Sequence, residues 1–175
     1  MSLAFTEEEV SGFIQQMTTQ LKNYLAARGI QQIAMVGIRS GGVWIAQQLH
    51  QALQLTHPLG ILDINFYRDD FTHKGLNPSV QPSQLPFDPE NQHIILVDDI
   101  LMTGRTIRAA MNELFDYGRP ASIILVTLVD LQAKELPITP DITGITLRLP
   151  PQQRLKLKGP KPLYVEQQML VATNH

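Results

Sequence analysis

The stretch Ile94-Ile95-Leu96-Val97 constrains the fold more than any other, because it is apolar at every position and then stops on Asp98-Asp99. A strand with one wet face alternates apolar and polar residues. A run that is apolar on both faces belongs to a central strand with helices above and below it. Two further runs share the pattern. Ile33-Ala34-Met35-Val36-Gly37-Ile38 ends in Arg39-Ser40-Gly41-Gly42, and Ile123-Ile124-Leu125-Val126-Thr127-Leu128-Val129 ends in Asp130. Segments of helical spacing separate them. Thr6-x-x-Glu9 reads as a capping box ahead of Val10, Phe13, Ile14, Met17, Leu21, Tyr24 and Leu25, which predicts a helix over 7–28 stopped by Gly29. Ile45, Ala46, Leu49 and Leu53 predict a helix over 43–53, and Ile107, Ala110, Met111, Leu114 and Phe115 another that stops at Gly118. Ile61, Ile64 and Phe66 suggest one more strand. This alternation predicts an α/β fold: a central, mostly parallel sheet with helices on both faces. Ligands of such sheets bind outside the carboxyl ends of the strands, where the polar punctuation of this chain falls.

Two regions are less regular. From about 70 to 92, Pro78, Pro82, Pro86 and Pro89 sit among polar residues, which fits either a functional lid or a plain surface loop. The tail from 131 to 175 holds Pro137, Pro140, Pro150, Pro151, Pro160 and Pro162, with strand-like pieces near 145–149 and 163–165. No internal repeat is visible. A length of 175 residues suits one compact domain with a real core. A net charge of −2 gives no bulk pull toward nucleic acid or anionic membrane. The absence of cysteine excludes disulfides, thiolate nucleophiles and cysteine-held zinc. No apolar run is long enough to span a membrane, and the acidic N-terminus is unlike a signal peptide. A soluble, cytoplasmic protein is expected.

The chemistry concentrates between 94 and 106. A buried strand delivers Asp98 and Asp99, Thr103-Gly104-Arg105-Thr106 follows, and a helix begins directly behind. A helix N-terminus carries unpaired amides and partial positive charge, so it binds phosphate. Gly104 lets backbone approach that phosphate closely, and Thr103 and Thr106 donate hydroxyls. Carboxylates suit vicinal hydroxyls or Mg²⁺ instead. A monophosphate beside a diol describes a 5-phosphoribosyl group.

This stretch resembles the signature for 5-phosphoribosyl-1-pyrophosphate (PRPP) of type I phosphoribosyltransferases. The wider chain, from about 36 to 140, resembles the PyrR family, pyrimidine operon attenuators with uracil phosphoribosyltransferase activity. The resemblance is carried by Val36-Gly37-Ile38-Arg39-Ser40-Gly41-Gly42-Val43, Asp63-Ile64-Asn65-Phe66-Tyr67-Arg68-Asp69-Asp70, Gly118-Arg119-Pro120-Ala121-Ser122-Ile123, Leu128-Val129-Asp130 and Glu135-Leu136-Pro137-Ile138. It implies one phosphoribosyltransferase domain over 1–175, with a flexible loop over about 68–92 and a hood mainly from 131–175. Asp98 and Asp99 are then catalytic, holding the ribose and a Mg²⁺ ion that is bound through ribose, pyrophosphate and water. Arg39, Ser40, Gly41 and Gly42 contact pyrophosphate; relatives often carry a second basic residue where Gly41 stands. Ile100, Leu101, Met102, Thr103, Gly104, Arg105 and Thr106 bind the phosphoribosyl group, and Val129 and Asp130 lie by the base. Arg68 is a catalytic candidate for charge on the leaving pyrophosphate, its plainer alternative being an ion pair with Asp69 or Asp70. Purine enzymes usually place a carboxylate where this chain has Met102, so a pyrimidine, uracil, is favoured over a purine.

The implied ligands are PRPP, uracil and UMP or other uridine nucleotides, in a homo-oligomer such as a dimer. A nucleotide-sensing regulator of messenger RNA with little catalysis is the first alternative, and another type I phosphoribosyltransferase acting on a purine or orotate is the second. Arg148, Arg154, Lys156, Lys158 and Lys161 form a basic run without an acidic residue. It reads either as an RNA track or, ahead of that, as an edge strand guarded by lysines. Charge reversal at Arg154, Lys156 and Lys158 is accordingly expected to spare catalysis. The histidines form no metal-spaced pair; His73, in the suspected lid, stays open. Trp44 reads as packing.

Overall fold

The computed structural model describes residues 2–64 and 83–171. A short strand, β1 (Ser2–Phe5), leads into α1 (Glu7–Ala27). The capping box forms: the Thr6 hydroxyl accepts from the Glu9 amide at 3.1 Å, and the Glu9 carboxylate accepts from the Thr6 amide at 2.8 Å. Glu7, Glu8 and Glu9 complement the positive end of the helix. Thr6→Ala removes one half of this exposed box and is expected to cost about 1 kcal/mol. An unchanged urea midpoint would show that the box contributes nothing.

Five strands build the main sheet: β2 (Ile33–Ile38), β3 (Gly60–Leu62), β4 (His93–Leu101), β5 (Ser122–Asp130) and β6 (Ile142–Thr146). Their order is β3-β2-β4-β5-β6, and every neighbouring pair is parallel. The helices α2 (Gly41–Leu53) and α3 (Arg105–Tyr117) follow β2 and β4. Strand alternation feeds two cores. Ile33, Met35, Ile95, Val97, Ile124 and Val126 pack with Met17 and Leu21 of α1 and Ile45 and Leu49 of α2. Ala34, Val36, Ile94 and Leu96 face the other way, onto Ile107, Ala110 and Leu114 of α3. Each large aliphatic side chain buried this way contributes about 1.5–3 kcal/mol. The runs apolar on both faces are thus explained by helices on both faces.

Two strands of the tail, β7 (Gln153–Lys158) and β8 (Tyr164–Met169), join β1 in a separate antiparallel sheet of order β1-β8-β7. Leu155, Leu157, Leu163 and Val165 anchor it to the core of α1 and α2. The strand expected near 145–149 begins earlier, as β6, and the piece near 163–165 extends to Met169. Arg68 and residues 68–82 of the expected loop lie outside the described residues. Residues 83–92 are packed. Gln84 and Ile61 exchange two backbone hydrogen bonds at 2.7 Å, and Leu85 and Phe87 lie on the α3-side core. Ser83 accepts from the Asp63 amide at 3.1 Å and donates to the Glu113 carboxylate. Among the described residues, no helix is long and apolar enough to cross a membrane.

Candidate active site

The acidic pair lies within β4 rather than beyond it, with Asp98 in register with Thr127. Neighbouring residues of a strand point to opposite faces. Asp99 shares the α2 face with Ile95 and Val97, and Asp98 the α3 face with Ile94 and Leu96. Each carboxylate folds back on the next amide: Asp98 Oδ1 accepts from Asp99 N at 2.9 Å, and Asp99 Oδ1 from Ile100 N at 2.7 Å.

The start of α2 is fitted around this pair. A Cβ on Gly41 would overlap the Asp99 carboxylate, and one on Gly42 would come within 2.5 Å of the Val97 carbonyl. Only glycine permits so close an approach at both positions. The helix therefore begins at Gly41, two residues before the apolar spacing suggests. Its N-cap, Ser40, makes no side-chain capping bond, and the Arg39-Ser40 peptide is cis. Arg39 Nη1 lies 3.8 Å from Asp63 Oδ2, a carboxylate only 1% exposed, so the guanidinium is held against the end of β3.

On the α3 face, Gly104 adopts φ +95°, a left-handed conformation that turns the chain into α3 at little cost. Its N-cap, Gly104, has no side chain to cap it, and no acidic residue occupies its first turn. The Thr103 hydroxyl accepts from Arg105 N at 3.2 Å, while the amides of Thr106 and Ile107 have no partner within the helix. The segment after β5 braces this loop. The Thr103 carbonyl accepts from Glu135 N at 2.9 Å and Leu136 N at 3.3 Å, and Leu131 N donates to the Leu101 carbonyl at 3.0 Å.

A cavity of about 440 Å³ opens here. Asp99, Ile100, Met102 and Thr106 line one side, Leu131 adds apolar wall, and Arg154, Lys156 and Gln168 reach in from the antiparallel sheet. Other expected site residues lie beside it. The Leu101 side chain is buried in the α3-side core and Val129 in the α2-side core, so both support the site from below. Asp130 turns its carboxylate to Gln132 N at 2.9 Å. Arg105 leans outward to Glu135 in an ion pair that is more than half exposed and contributes little. His50 and His93 make structural hydrogen bonds, to the His57 carbonyl and the Ser122 hydroxyl.

The basic run lies on an edge strand, as the favoured of its two readings has it: β7 stands last in the order β1-β8-β7. That edge lies by β4, and Arg154 and Lys156 line the cavity that holds Asp99. Their spacing carried the signal that they share a face, but only the packing of the second sheet shows what that face looks at.

The profile of the phosphoribosyl transferase domain family matches residues 9–152. The chain belongs to the phosphoribosyltransferase family. Within it, the relatives are PyrR proteins. The bifunctional protein PyrR of Pseudomonas syringae pv. tomato is 59% identical over 157 residues, 90% of this chain and 92% of that one. The PyrR of Pseudomonas putida W619 is 58% identical over 161 residues, 92% and 94% of the two chains. Solved structures of lower identity share the fold. The hypoxanthine phosphoribosyltransferase of Trypanosoma cruzi gives a TM-score of 0.64 at 18% identity, over 85% of this chain and 82% of that one. One from Staphylococcus aureus gives 0.63 at 20% identity, over 84% and 78%. The parallel sheet with helices on both faces is thus the type I phosphoribosyltransferase fold.

Proposed function

We propose that this phosphoribosyltransferase joins uracil to PRPP, releasing UMP and pyrophosphate. One observation carries the reading: the start of α3 at Thr106, the Asp99 carboxylate and an apolar wall with Met102 border one cavity. Thr103, Gly104, Arg105 and Thr106 take the 5-phosphate, and Asp98 and Asp99 take the ribose hydroxyls. Arg39, Ser40, Gly41 and Gly42 take the pyrophosphate, while Ile100, Met102 and Leu131 face the base. Anchoring the remote phosphate fixes the ribose C1 atom for attack. Uracil N1 then bonds to C1 as the C1–oxygen bond to pyrophosphate breaks.

The donor set fits Mg²⁺. Two carboxylates each give one oxygen to a backbone amide, and among the described residues no cluster of three or more His, Cys, Asp or Glu could cage a metal. A site of this kind suits an ion completed by substrate oxygens and water. When bound, Mg²⁺ neutralises charge on the leaving pyrophosphate. Met102 supports a base that needs no carboxylate partner, which favours uracil over a purine. The Pseudomonas relatives are named bifunctional protein PyrR, and the resemblance to the PyrR attenuators adds a second role for this chain, sensing uridine nucleotides and regulating pyrimidine genes through messenger RNA.

The test is pyrophosphate release from PRPP and Mg²⁺ with uracil, orotate, hypoxanthine or guanine. Turnover with uracil alone is the expected result. No turnover with any base, with UMP still bound, would leave the regulator and remove the enzyme.

A further inference from the structure

We propose that Arg154 and Lys156 bind the carbonyl oxygens of the pyrimidine and hold it as its N1-deprotonated anion, the nucleophile of the reaction. The inference deepens the uracil reading above and rests on it. Three observations lead to it.

The first is direction. Along β7, Leu155 and Leu157 are buried in the core shared with α1, while Arg154 and Lys156 are exposed on the opposite face. Both cations line the cavity that contains Asp99 and Met102.

The second is charge. Lys158, next on the same face, is 3.7 Å from Glu166. The side chains of Arg154 and Lys156 make no ion pair or hydrogen bond among the described residues. Lys156 stands in register with Glu166, yet the Glu166 carboxylate goes to Lys158, Tyr164 and Gln168. Among the described residues, Asp99 is the one anionic side chain lining the cavity, and it does not neutralise them. Its Oδ1 holds the Ile100 amide, and its Oδ2 lies against Gly41 at the start of α2.

The third is the remaining wall. Ile100, Met102 and Leu131 make an apolar wall next to these cations. A flat ring with oxygens on its rim fits against an apolar wall with cations at its edge, and a ring bearing an amino group on that edge would meet repulsion.

The chemistry follows. Uracil must lose its N1 proton to attack, and Met102 has no basic atom to take it. A cation close to the ring oxygens favours the charged form of the base. The N1 proton therefore passes to water as the base enters. The N1 electron pair then forms the bond to ribose C1, and pyrophosphate departs with the electron pair of the broken C1–oxygen bond. The anion has most charge on its oxygens before attack, so Arg154 and Lys156 act on the supply of nucleophile.

Two bases and one pH series test this. For Lys156→Gln and Arg154→Gln, kcat is measured across pH with uracil and with 5-fluorouracil, whose ring is more acidic. The pH profile of kcat reports ionisation in the bound state. Lys156→Gln is expected to move the rising limb to higher pH by about one unit, lowering uracil turnover at neutral pH about tenfold. 5-Fluorouracil should lose much less, and Lys156→Arg, which keeps the charge, should stay near wild type. Equal losses on both bases, or a raised KM for PRPP without a pH shift, would overturn the proposal in favour of a phosphate contact. So would a Lys156→Arg variant as weak as Lys156→Gln, which would mark a packing role. Failure of the wild type to use uracil, seen in the same assay, would instead refute the uracil reading itself.

Discussion

Asparagine at both Asp98 and Asp99 is expected to abolish measurable PRPP binding and to lower turnover roughly 10²–10⁴-fold while leaving the fold intact. The estimate takes one charge-assisted hydrogen bond per carboxylate, each contributing about 1.5–3 kcal/mol, with a decade for each 1.4 kcal/mol. The fold survives because asparagine keeps a carbonyl oxygen. The amides of Asp99 and Ile100, which now donate to Asp98 Oδ1 and Asp99 Oδ1, retain acceptors. Asp98 is only 6% exposed, and asparagine fills the same volume there. The melting temperature should therefore hold, as volume-conserving changes permit. Calorimetry with PRPP and a melting curve on one sample decide the matter. Wild-type affinity in the folded variant would sink the assignment of the ribose site to this pair.

The acidic pair and the phosphate loop were legible because they are contiguous: strand, carboxylates, threonines and glycine follow one another along the chain. The centre of the main sheet was legible because β2, β4 and β5 each carry a nearly unbroken apolar run, and α1 keeps its period for 21 residues. Legibility failed where local pattern and tertiary position part company. The β4 strand runs on through Asp98 and Asp99 because β5 continues beside it to Asp130, although charge ends the apolar signal. The β1 strand is four residues long and finds its partner, β8, at the far end of the chain. Arg154 and Lys156 alternate with leucines as residues of any edge strand do. Nothing local says that this strand lies over β4.

Gly41→Ala is expected to cost about 10²-fold in kcat/KM, as misplacing a binding group by about 1 Å does. A Cβ at this position would overlap the Asp99 carboxylate and lie 2.8 Å from its Cγ. The start of α2 is seated directly on β4, where a Cβ on Gly42 would be 2.5 Å from the Val97 carbonyl, and lifting the whole helix would unpack Ile45 and Leu49 from the core. The Gly37 position is as tight, with a Cβ there 2.8 Å from Val43 Cα. So the carboxylate must rotate, breaking its 2.7 Å bond to Ile100 N and leaving the position from which it meets the ribose. Overpacking of this kind costs about 1–3 kcal/mol of stability, so the variant should still fold. Gly12→Ala is the matched control. Gly12 lies in α1 with nothing within 4 Å of its Cβ position, and alanine there should stabilise the helix by up to about 1 kcal/mol with activity unchanged. Wild-type kcat/KM in folded Gly41→Ala would mean that Asp99 works equally well from another rotamer. The close packing of α2 against β4 would then serve the core and not the reaction.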